Sequence, residues 1–142
     1  LETATGVIII PAASFSSPSK PSSTVMVMPS YLGGKQLHLE KDGSVEYVLP
    51  SVIPSGTYLL SCRIVNVHRH QVPLLLTVEN QDKEDLWVDM YNVEIQYTTG
   101  AWNVTKPVQV QLTPGGTLNF ERQTPCYGLT IKDFTLEPST CT

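Results

Sequence analysis

The sequence predicts an all-β fold, an antiparallel β-sandwich of two sheets. Short apolar runs alternate with polar residues at a period of two, as in Val108, Val110 and Leu112, which marks strands with one buried face. Turn residues separate these runs at intervals typical of a sandwich, and no run has convincing helical spacing. With 142 residues, the chain is long enough for a two-layer core. We therefore expect a single domain over residues 1–142.

Composition and charge exclude two classes of partner. Charged residues make up only 15% of the chain and the formal net charge is −4, so the basic surface that nucleic-acid phosphates require is not expected. No run of about 20 apolar residues is present to span a bilayer. The apolar run at 6–10 is far too short, and it lacks the basic flank of a signal peptide. We therefore expect no nucleic-acid partner and no membrane partner.

The first half of the chain contains five predicted strands, each bounded by turn residues. A loop rich in Ser and Pro at 16–23 separates the first two. Asp42-Gly43 predicts a hairpin between the third and the fourth. The fifth is the longest and has apolar residues on both faces, as expected of a central strand. The five predicted strands lie at 7–15, 25–28, 35–40, 45–49 and 57–67.

The second half of the chain continues the same alternation. A charged tip at 81–85 follows a predicted strand at 72–78, and one or two further strands fall within 87–97. Thr113-Pro114-Gly115-Gly116 supplies a later turn, because proline presets φ and glycine accepts a positive φ. The last three predicted strands lie at 108–112, 118–120 and 129–136.

The last predicted strand changes phase part-way along. Ile131 and Phe134 both fit the buried face, although a strict period of two would place them on opposite faces. One extra residue in a strand produces this pattern. The sequence therefore predicts a β-bulge near Lys132 and Asp133.

The three cysteines and one sequon bear on localisation. Cys62 lies inside a predicted strand and is expected to be a small buried hydrophobe. Cys126 and Cys141 flank the last strand and could form a disulfide, or all three thiols could be free. A glycosylation sequon, Asn103-Val104-Thr105, lies on a predicted exposed turn. The cysteines decide little, and the sequon favours a secreted or cell-surface protein.

Six short motifs follow one another through most of the chain, each at a predicted turn or strand. They lie at 33–34, 41–47, 54–65, 99–102, 112–115 and 128–136. In this order they resemble the carbohydrate-binding modules of families 6 and 35, which share the galactose-binding-like jelly roll. The resemblance implies the same two-sheet sandwich and a non-catalytic sugar-binding domain.

The resemblance also implies a binding site. In these modules an aromatic residue of a Thr-Gly-x-Trp turn stacks on a sugar in a loop cleft, and here that residue is Trp102. Tyr127 and Gln123 are the nearest candidates for the second aromatic and the polar residue near the last strand, and the first aromatic falls near His38. Ala12-Ala13-Ser14 replaces the acidic pair that helps to hold a structural calcium, so no cofactor is expected.

Each aromatic candidate has a structural alternative. Trp102 could cover the end of the core, and Tyr127 could close the core instead of lining a cleft. Trp87 and Tyr91 share one face of a predicted strand. They could form a second sugar platform or pack together as a structural pair.

Two further features are expected to be structural. His68-Arg69-His70 offers two zinc ligands, but a zinc site needs a third ligand, and a solvated loop fits this segment better. Arg63 lies in the predicted central strand. It is expected to pair with a buried carboxylate such as Glu46 or Glu94.

The sequence therefore predicts a carbohydrate-binding module that targets or anchors a larger secreted or surface protein to a polysaccharide or glycan. The alternative is a structural or protein-interaction sandwich without sugar binding, with Trp87 and Tyr91 on an exposed sheet. A third hypothesis is a small hydrolase whose carboxylates meet only in the fold. The sequence contains no recognisable catalytic motif, so an enzyme is not expected.

Overall fold

Eleven strands and one short 3-10 helix make up the part of the chain that the structure describes. The computed structural model describes residues 6–124 and 126–139. Its strands are β1 (Ile8–Pro11), β2 (Val25–Pro29), β3 (Lys35–Leu39), β4 (Ser44–Val48), β5 (Gly56–Val65), β6 (Leu74–Asp82), β7 (Asp85–Val93), β8 (Asn103–Val104), β9 (Val108–Leu112), β10 (Thr117–Arg122) and β11 (Leu129–Pro138). The 3-10 helix, Ala12–Ser14, follows β1. No helix in this part of the chain is long and apolar enough to cross a membrane.

The strands form two antiparallel sheets. In the large sheet the order of neighbours is β2, β3, β11, β5 and β8, while β1 also pairs with β11 and β9 with β5. In the small sheet the order is β4, β10, β6 and β7. The buried faces of the two sheets share one hydrophobic core. The predicted two-sheet antiparallel β-sandwich is confirmed.

The centre of the large sheet is the pair β5 and β11, each ten residues long. On the other edge of β11, β3 pairs with its first half and β1 with its second half. Ile8 of β1 pairs with Leu136, and Ser139 N donates to Thr57 O at 2.9 Å. Both ends of the described chain therefore lie together at the end of β11 that is away from Leu129.

The turn at Asp42-Gly43 does not form the predicted hairpin. β3 belongs to the large sheet and β4 to the small one, so the chain passes here from one sheet to the other. The turn itself is present, with Asp42 at φ 68° and a 2.9 Å hydrogen bond from Gly43 N to Glu40 O. Leu39 and Val45 are both fully buried, because the two strands present their apolar faces to each other across the core.

The predicted bulge in β11 is confirmed. The register between β11 and β5 shifts between Ile131 and Asp133, so Lys132 is the extra residue. Lys132 Nζ donates to Lys35 O at 3.0 Å, which ties the bulge to the start of β3. As a result Ile131 and Phe134 are both fully buried.

Three aromatic rings join the sheets at the centre of the core. Phe120 of the small sheet stacks on Phe134 of the large sheet, with ring centroids 4.1 Å apart, and Tyr47 packs edge-on against both. The Tyr47 hydroxyl donates to Ala12 O at 2.6 Å. Burial raises the pKa of the Tyr47 phenol well above its ordinary value, so the hydroxyl remains a donor.

Cys62 is fully buried on β5, as expected of a small hydrophobe. Burial raises the pKa of its thiol to about 12, so the reactive thiolate is not formed at neutral pH. Cys126 is half-buried. Its pairing with Cys141 stays a prediction, because Cys141 lies outside the described residues.

Arg63 pairs with a different carboxylate from the two that were expected. Its Nη2 lies 2.5 Å from Asp133 Oδ2, because the two residues are directly opposite each other on β5 and β11. Glu46 lies in the small sheet and Glu94 follows β7, so neither is a neighbour of Arg63 in the large sheet. The prediction of a carboxylate partner was right in kind and wrong in identity.

The ring cluster yields a test of the core. Tyr47→Phe is expected to lower the free energy of unfolding by about 1–2 kcal/mol, because Ala12 O then loses its donor inside the core. Urea unfolding measures the change. Tyr31 is fully exposed, so Tyr31→Phe is the matched control and is expected to change stability by less than about 0.5 kcal/mol. Equal stabilities for the two variants would contradict a structural role for the Tyr47 hydroxyl.

Candidate functional site

The adjoining ends of β3, β5 and β11 form the floor of a cleft of about 430 Å³. His38 of β3 pairs with Thr130 of β11, which pairs with Val65 of β5. Leu129 and Ile131, the neighbours of Thr130 in the chain, are fully buried, so Thr130 points to the outer face of the large sheet. The floor is therefore a row of cross-strand neighbours on that face.

The side chains of His38, Glu40 and Thr130 form the polar part of this floor and are joined by hydrogen bonds. His38 Nε2 lies 2.8 Å from Glu40 Oε1, and His38 Nδ1 lies 2.9 Å from Thr130 Oγ1. Because an ionised carboxylate only accepts hydrogen bonds, Nε2 carries a proton. In the neutral ring, Nδ1 then accepts from the Thr130 hydroxyl. The Glu40 side chain is 43% exposed, so its remaining lone pairs are open to a ligand.

Gly128 leaves the space that the His38 ring occupies. A Cβ at position 128 would lie 2.6 Å from His38 Nε2, 2.8 Å from His38 Cε1 and 3.0 Å from Glu40 Oε1. Side-chain carbons do not approach other heavy atoms this closely in packed proteins, so any side chain here would displace the ring. The contact between His38 and Glu40 therefore depends on glycine at this position.

Tyr127 forms one wall of the cleft. It is 52% exposed, and one face of its ring stacks on His68, with centroids 4.5 Å apart and planes 17° from parallel. A half-exposed ring that is supported from behind presents a flat apolar surface. Tyr127, one of the predicted site residues, is thus placed beside another of them, His38, in the same cleft.

The backbone of Tyr127 is held by two side chains. Gln71 Oε1 accepts from Tyr127 N, and Gln71 Nε2 donates to Tyr127 O, both at 3.1 Å. Arg122 Nη2 donates to Tyr127 O at 2.6 Å and to Gln71 Oε1 at 2.7 Å. Arg122 is only 4% exposed, and burial lowers the pKa of its guanidinium, partly offset by Cys126 and Glu40. This network fixes the position of the aromatic wall.

The segment His68-Arg69-His70 is a loop in which Arg69 and His70 are exposed, as predicted, but His68 is half-buried and its ring lies in the wall of the cleft. Asn66 fixes the loop, because its Oδ1 accepts from His68 N at 3.0 Å and its Nδ2 donates to His68 O at 2.9 Å and to Gln96 O at 3.1 Å. No sequence signal near His68 indicates a contact with Tyr127. The pairing of β5 with β11 places the loops that carry the two rings next to each other.

Trp102 lies at the margin of the cleft and is not among the residues that line it. It is half-buried in the segment between β7 and β8. Asn103 pairs with Ile64, so Trp102 continues the cross-strand row one place beyond Val65. The structure thus places Trp102 next to the floor.

Gln123 is held away from the cleft. Its Nε2 donates to Pro73 O at 2.8 Å and to Asn92 Oδ1 at 3.2 Å. These bonds tie Gln123 to the ends of β6 and β7 in the small sheet. The structure therefore does not bring Gln123 together with Tyr127 and His38 in the cleft.

Trp87 and Tyr91 share a face of β7, as the period of two predicts. They lie opposite Asn80 and Leu76 on β6, which are both fully buried. Tyr91 packs partly against the core, and its hydroxyl accepts from Gln111 N at 3.4 Å. Trp87 is 38% exposed. Tyr91 is thus engaged in packing. Both residues lie on the small sheet, whereas the cleft lies on the large sheet.

The cleft combines an exposed aromatic surface with hydrogen-bonding groups. Glu40 is the only carboxylate among the described residues that line it, so the cleft does not bring together the carboxylate pair used in glycoside hydrolysis. Within residues 6–124 and 126–139, no group of three or more His, Cys, Asp or Glu side chains is arranged to hold a metal. The arrangement suits non-covalent binding of a ligand that has both an apolar face and polar groups.

Several solved structures have a similar fold. A family 6 carbohydrate-binding module from Clostridium stercorarium, in complex with cellobiose, matches with a TM-score of 0.67 at 11% identity, over 93% of this chain and 94% of that one. A family 35 module from Cellvibrio japonicus matches with a TM-score of 0.67 at 14% identity, over 94% of each chain. The chain has the fold of carbohydrate-binding modules. The resemblance read from the six motifs is therefore confirmed at the level of fold.

This carbohydrate-binding-module fold also occurs inside a longer protein. A β-(1,4)-mannanase from Podospora anserina with a family 35 module matches over 97% of this chain and 29% of that one, with a TM-score of 0.66 at 17% identity. No protein-family model and no curated protein matches the sequence. At these identities the likeness is one of fold.

Gly128→Ala tests the floor of the cleft. The new methyl group is expected to push the His38 ring away from Glu40, because it would lie 2.6 Å from Nε2. The measurement is the imidazole Nε2–H signal in NMR spectra, which should shift or disappear, with a loss of about 1–3 kcal/mol in unfolding free energy. Thr130→Val removes only the partner of Nδ1, so it is the control that should retain the bond to Glu40. An unchanged signal in Gly128→Ala would show that the ring does not occupy this position.

Proposed function

We propose that this protein is a non-catalytic carbohydrate-binding domain that holds a sugar between Tyr127 and the floor formed by His38, Glu40 and Thr130. The observation that carries the proposal is the half-exposed Tyr127 ring, supported by His68, beside three hydrogen-bonding side chains. A pyranose has an apolar C–H face and a rim of hydroxyl groups. It therefore needs an aromatic surface and polar groups in one place.

Each side chain has a distinct role in this proposal. Tyr127 stacks on the C–H face of the sugar. Glu40 accepts hydrogen bonds from sugar hydroxyls, since its carboxylate has lone pairs that His38 does not use. Both ring nitrogens of His38 are already occupied, so His38 positions Glu40 and Thr130. Trp102, at the margin of the floor, contributes a second apolar surface to a longer ligand.

The first ligands to test are polysaccharides built from glucose or xylose. Structures with a similar fold are complexes with cellobiose, from Clostridium stercorarium, with cellotriose, from Cellvibrio mixtus, and with xylose, from Clostridium cellulolyticum. Mannan is included because of the mannanase from Podospora anserina. The choice among these sugars depends on the side chains of the floor and walls, which are particular to this chain.

The proposed role of the binding is to target or anchor a larger secreted or surface protein to a polysaccharide or glycan. The mannanase supports this role, because a module of this fold accounts for part of that longer chain. Among the described residues that line the cleft, Glu40 is the only carboxylate, so there is no second one there for hydrolysis. Binding without cleavage fits such a role.

Affinity electrophoresis through gels that contain soluble polysaccharide tests the proposal. The native protein is expected to be retarded by at least one polysaccharide. Tyr127→Ala should raise the dissociation constant about tenfold, since an aromatic contact of roughly 1.4 kcal/mol is lost. Tyr31→Ala is the matched control. Tyr31 is also exposed, but it lies in the β2–β3 turn, at the opposite end of β3 from His38, so binding should be unchanged.

Three other outcomes would change the proposal. Loss of binding in Trp87→Ala but not in Tyr127→Ala would move the site to the small sheet. Absence of retardation by every polysaccharide, with the protein folded, would refute sugar binding and favour the protein-interaction alternative. Release of reducing sugar from any polysaccharide would refute the non-catalytic assignment.

A further inference from the structure

The open edge of the small sheet is β7. This strand pairs with β6 from Leu74 opposite Val93 to Asp82 opposite Asp85. Within residues 6–124 and 126–139, no strand or loop backbone pairs with its other edge. An exposed strand edge presents a row of N–H and C=O groups that can pair with another strand.

Two other sheet edges are covered, in contrast to β7. On β4, Ser17 forms a bridge with Glu46, and Glu46 N donates to Ser17 O at 2.8 Å. On β9, side chains of the small sheet satisfy the backbone of Gln111, because Asn80 Nδ2 donates to its C=O at 2.8 Å and its N–H donates to the Tyr91 hydroxyl. The fold thus satisfies backbone groups at these edges and leaves those of β7 open.

The open edge carries apolar side chains on its outer face. Leu86, Val88 and Met90 are 66%, 53% and 68% exposed, and they alternate with residues that face the other side. Single exposed apolar residues are ordinary on a protein surface. Three on one face of an unpaired edge strand mark a surface that another strand would cover.

We propose that β7 pairs with β7 of a second copy of this chain, antiparallel and about a two-fold axis through Val88. Leu86 of each copy then lies opposite Met90 of the other, and Val88 lies opposite Val88. The two four-stranded sheets become one continuous sheet across the dimer. A two-fold axis closes the assembly, because each edge is used once.

Charge disfavours the two neighbouring registers. An axis at Trp87 would place Asp85 opposite Asp89, and an axis at Asp89 would place the two copies of that residue opposite each other. Like charges directly opposite each other destabilise an antiparallel pair. With the axis at Val88, no carboxylate of β7 lies opposite another.

An axis at Met90 avoids opposed carboxylates as well, but it gives a poorer match. It would place Leu86 opposite Glu94 and Val88 opposite Asn92, so that of the three exposed apolar residues only Met90 would have an apolar partner. The axis at Val88 gives each of the three apolar residues an apolar partner. Hydrophobic burial therefore selects this register.

The acidic residues of β7 also fit a second copy. With the axis at Val88, Asp89 lies opposite Trp87 of the other copy and Asp85 lies opposite Tyr91 of the other copy. Each carboxylate therefore lies directly opposite an aromatic residue, and the carboxylates of the other copy lie at the longer diagonal separation. β7 is thus complementary to itself, as a two-fold interface requires.

Sedimentation equilibrium over a wide range of protein concentration tests the dimer. The native chain is expected to form dimers as concentration rises, and Val88→Lys should weaken association at least about tenfold, because two lysines would meet at the axis. Val48→Lys is the matched control. Val48 is 57% exposed and lies in the same cross-strand row of the small sheet, on β4, so dimerisation should be retained.

A charge swap tests the register. Leu86→Lys and Met90→Glu should each weaken the dimer, because each introduces two charges into the apolar face. The double variant should restore association, since every lysine then lies opposite a glutamate of the other copy. A native chain that stays monomeric at all concentrations would overturn the proposal. Association of the double variant weaker than that of either single variant would overturn the register at Val88.

The test is independent of the proposed sugar binding. The interface lies on the small sheet and the cleft on the large sheet. Val88→Lys is therefore expected to leave the dissociation constant for a short, monovalent oligosaccharide unchanged. Dimerisation without sugar binding would refute only the proposed function. Sugar binding without dimerisation would refute only the proposed dimer.

Discussion

The extra residue in β11, Lys132, determines the positions of both the core and the cleft. Before the bulge, Thr130 points outward to the floor of the cleft and Ile131 points inward. A strict period of two after Ile131 would turn Phe134 outward and remove its ring from the stack with Phe120. The bulge restores the inward phase, so one strand serves both a polar site at one end and the aromatic core at the other.

The local pattern of the sequence was sufficient to predict most of the strands, their buried faces and this bulge, because alternation along one strand depends only on neighbouring residues. It missed β8, which was expected to be an exposed turn, and it extended the first strand to residue 15. Pairing between strands was harder to predict. Asp42-Gly43 is a turn, but its residues do not specify whether the next strand lies beside the previous one or across the core from it. The ion-pair partner of Arg63 was hard to predict for the same reason. Asp133 is the neighbour of Arg63 because of the register between β5 and β11, and the sequence of either strand alone does not determine that register.

The candidate site shows the same division. His38 and Tyr127 were found through the resemblance of motifs, and the structure brings them into one cleft. His68 and Thr130 were not found, because they reach the cleft only through pairing with segments far away in the sequence. Trp102 was the leading candidate from its motif, yet the register of β8 leaves it at the margin. Side chains in loops follow the strands that carry them, and the motif did not contain that information.

The two ends of the described chain lie together at one end of the molecule, and the cleft lies at the opposite end. Gly6 and Pro138 lie in contact range at the far end of β11, and Thr130 lies in the cleft at the other. The strand between Thr130 and Pro138 spans about 25 Å at roughly 3.3 Å per residue. A molecule tethered to a solid support near Gly6 or Pro138 would therefore present its cleft to the solution, with the body of the sandwich as a spacer. Such a tether would give every molecule on a sensor surface the same orientation, with the cleft facing the solution.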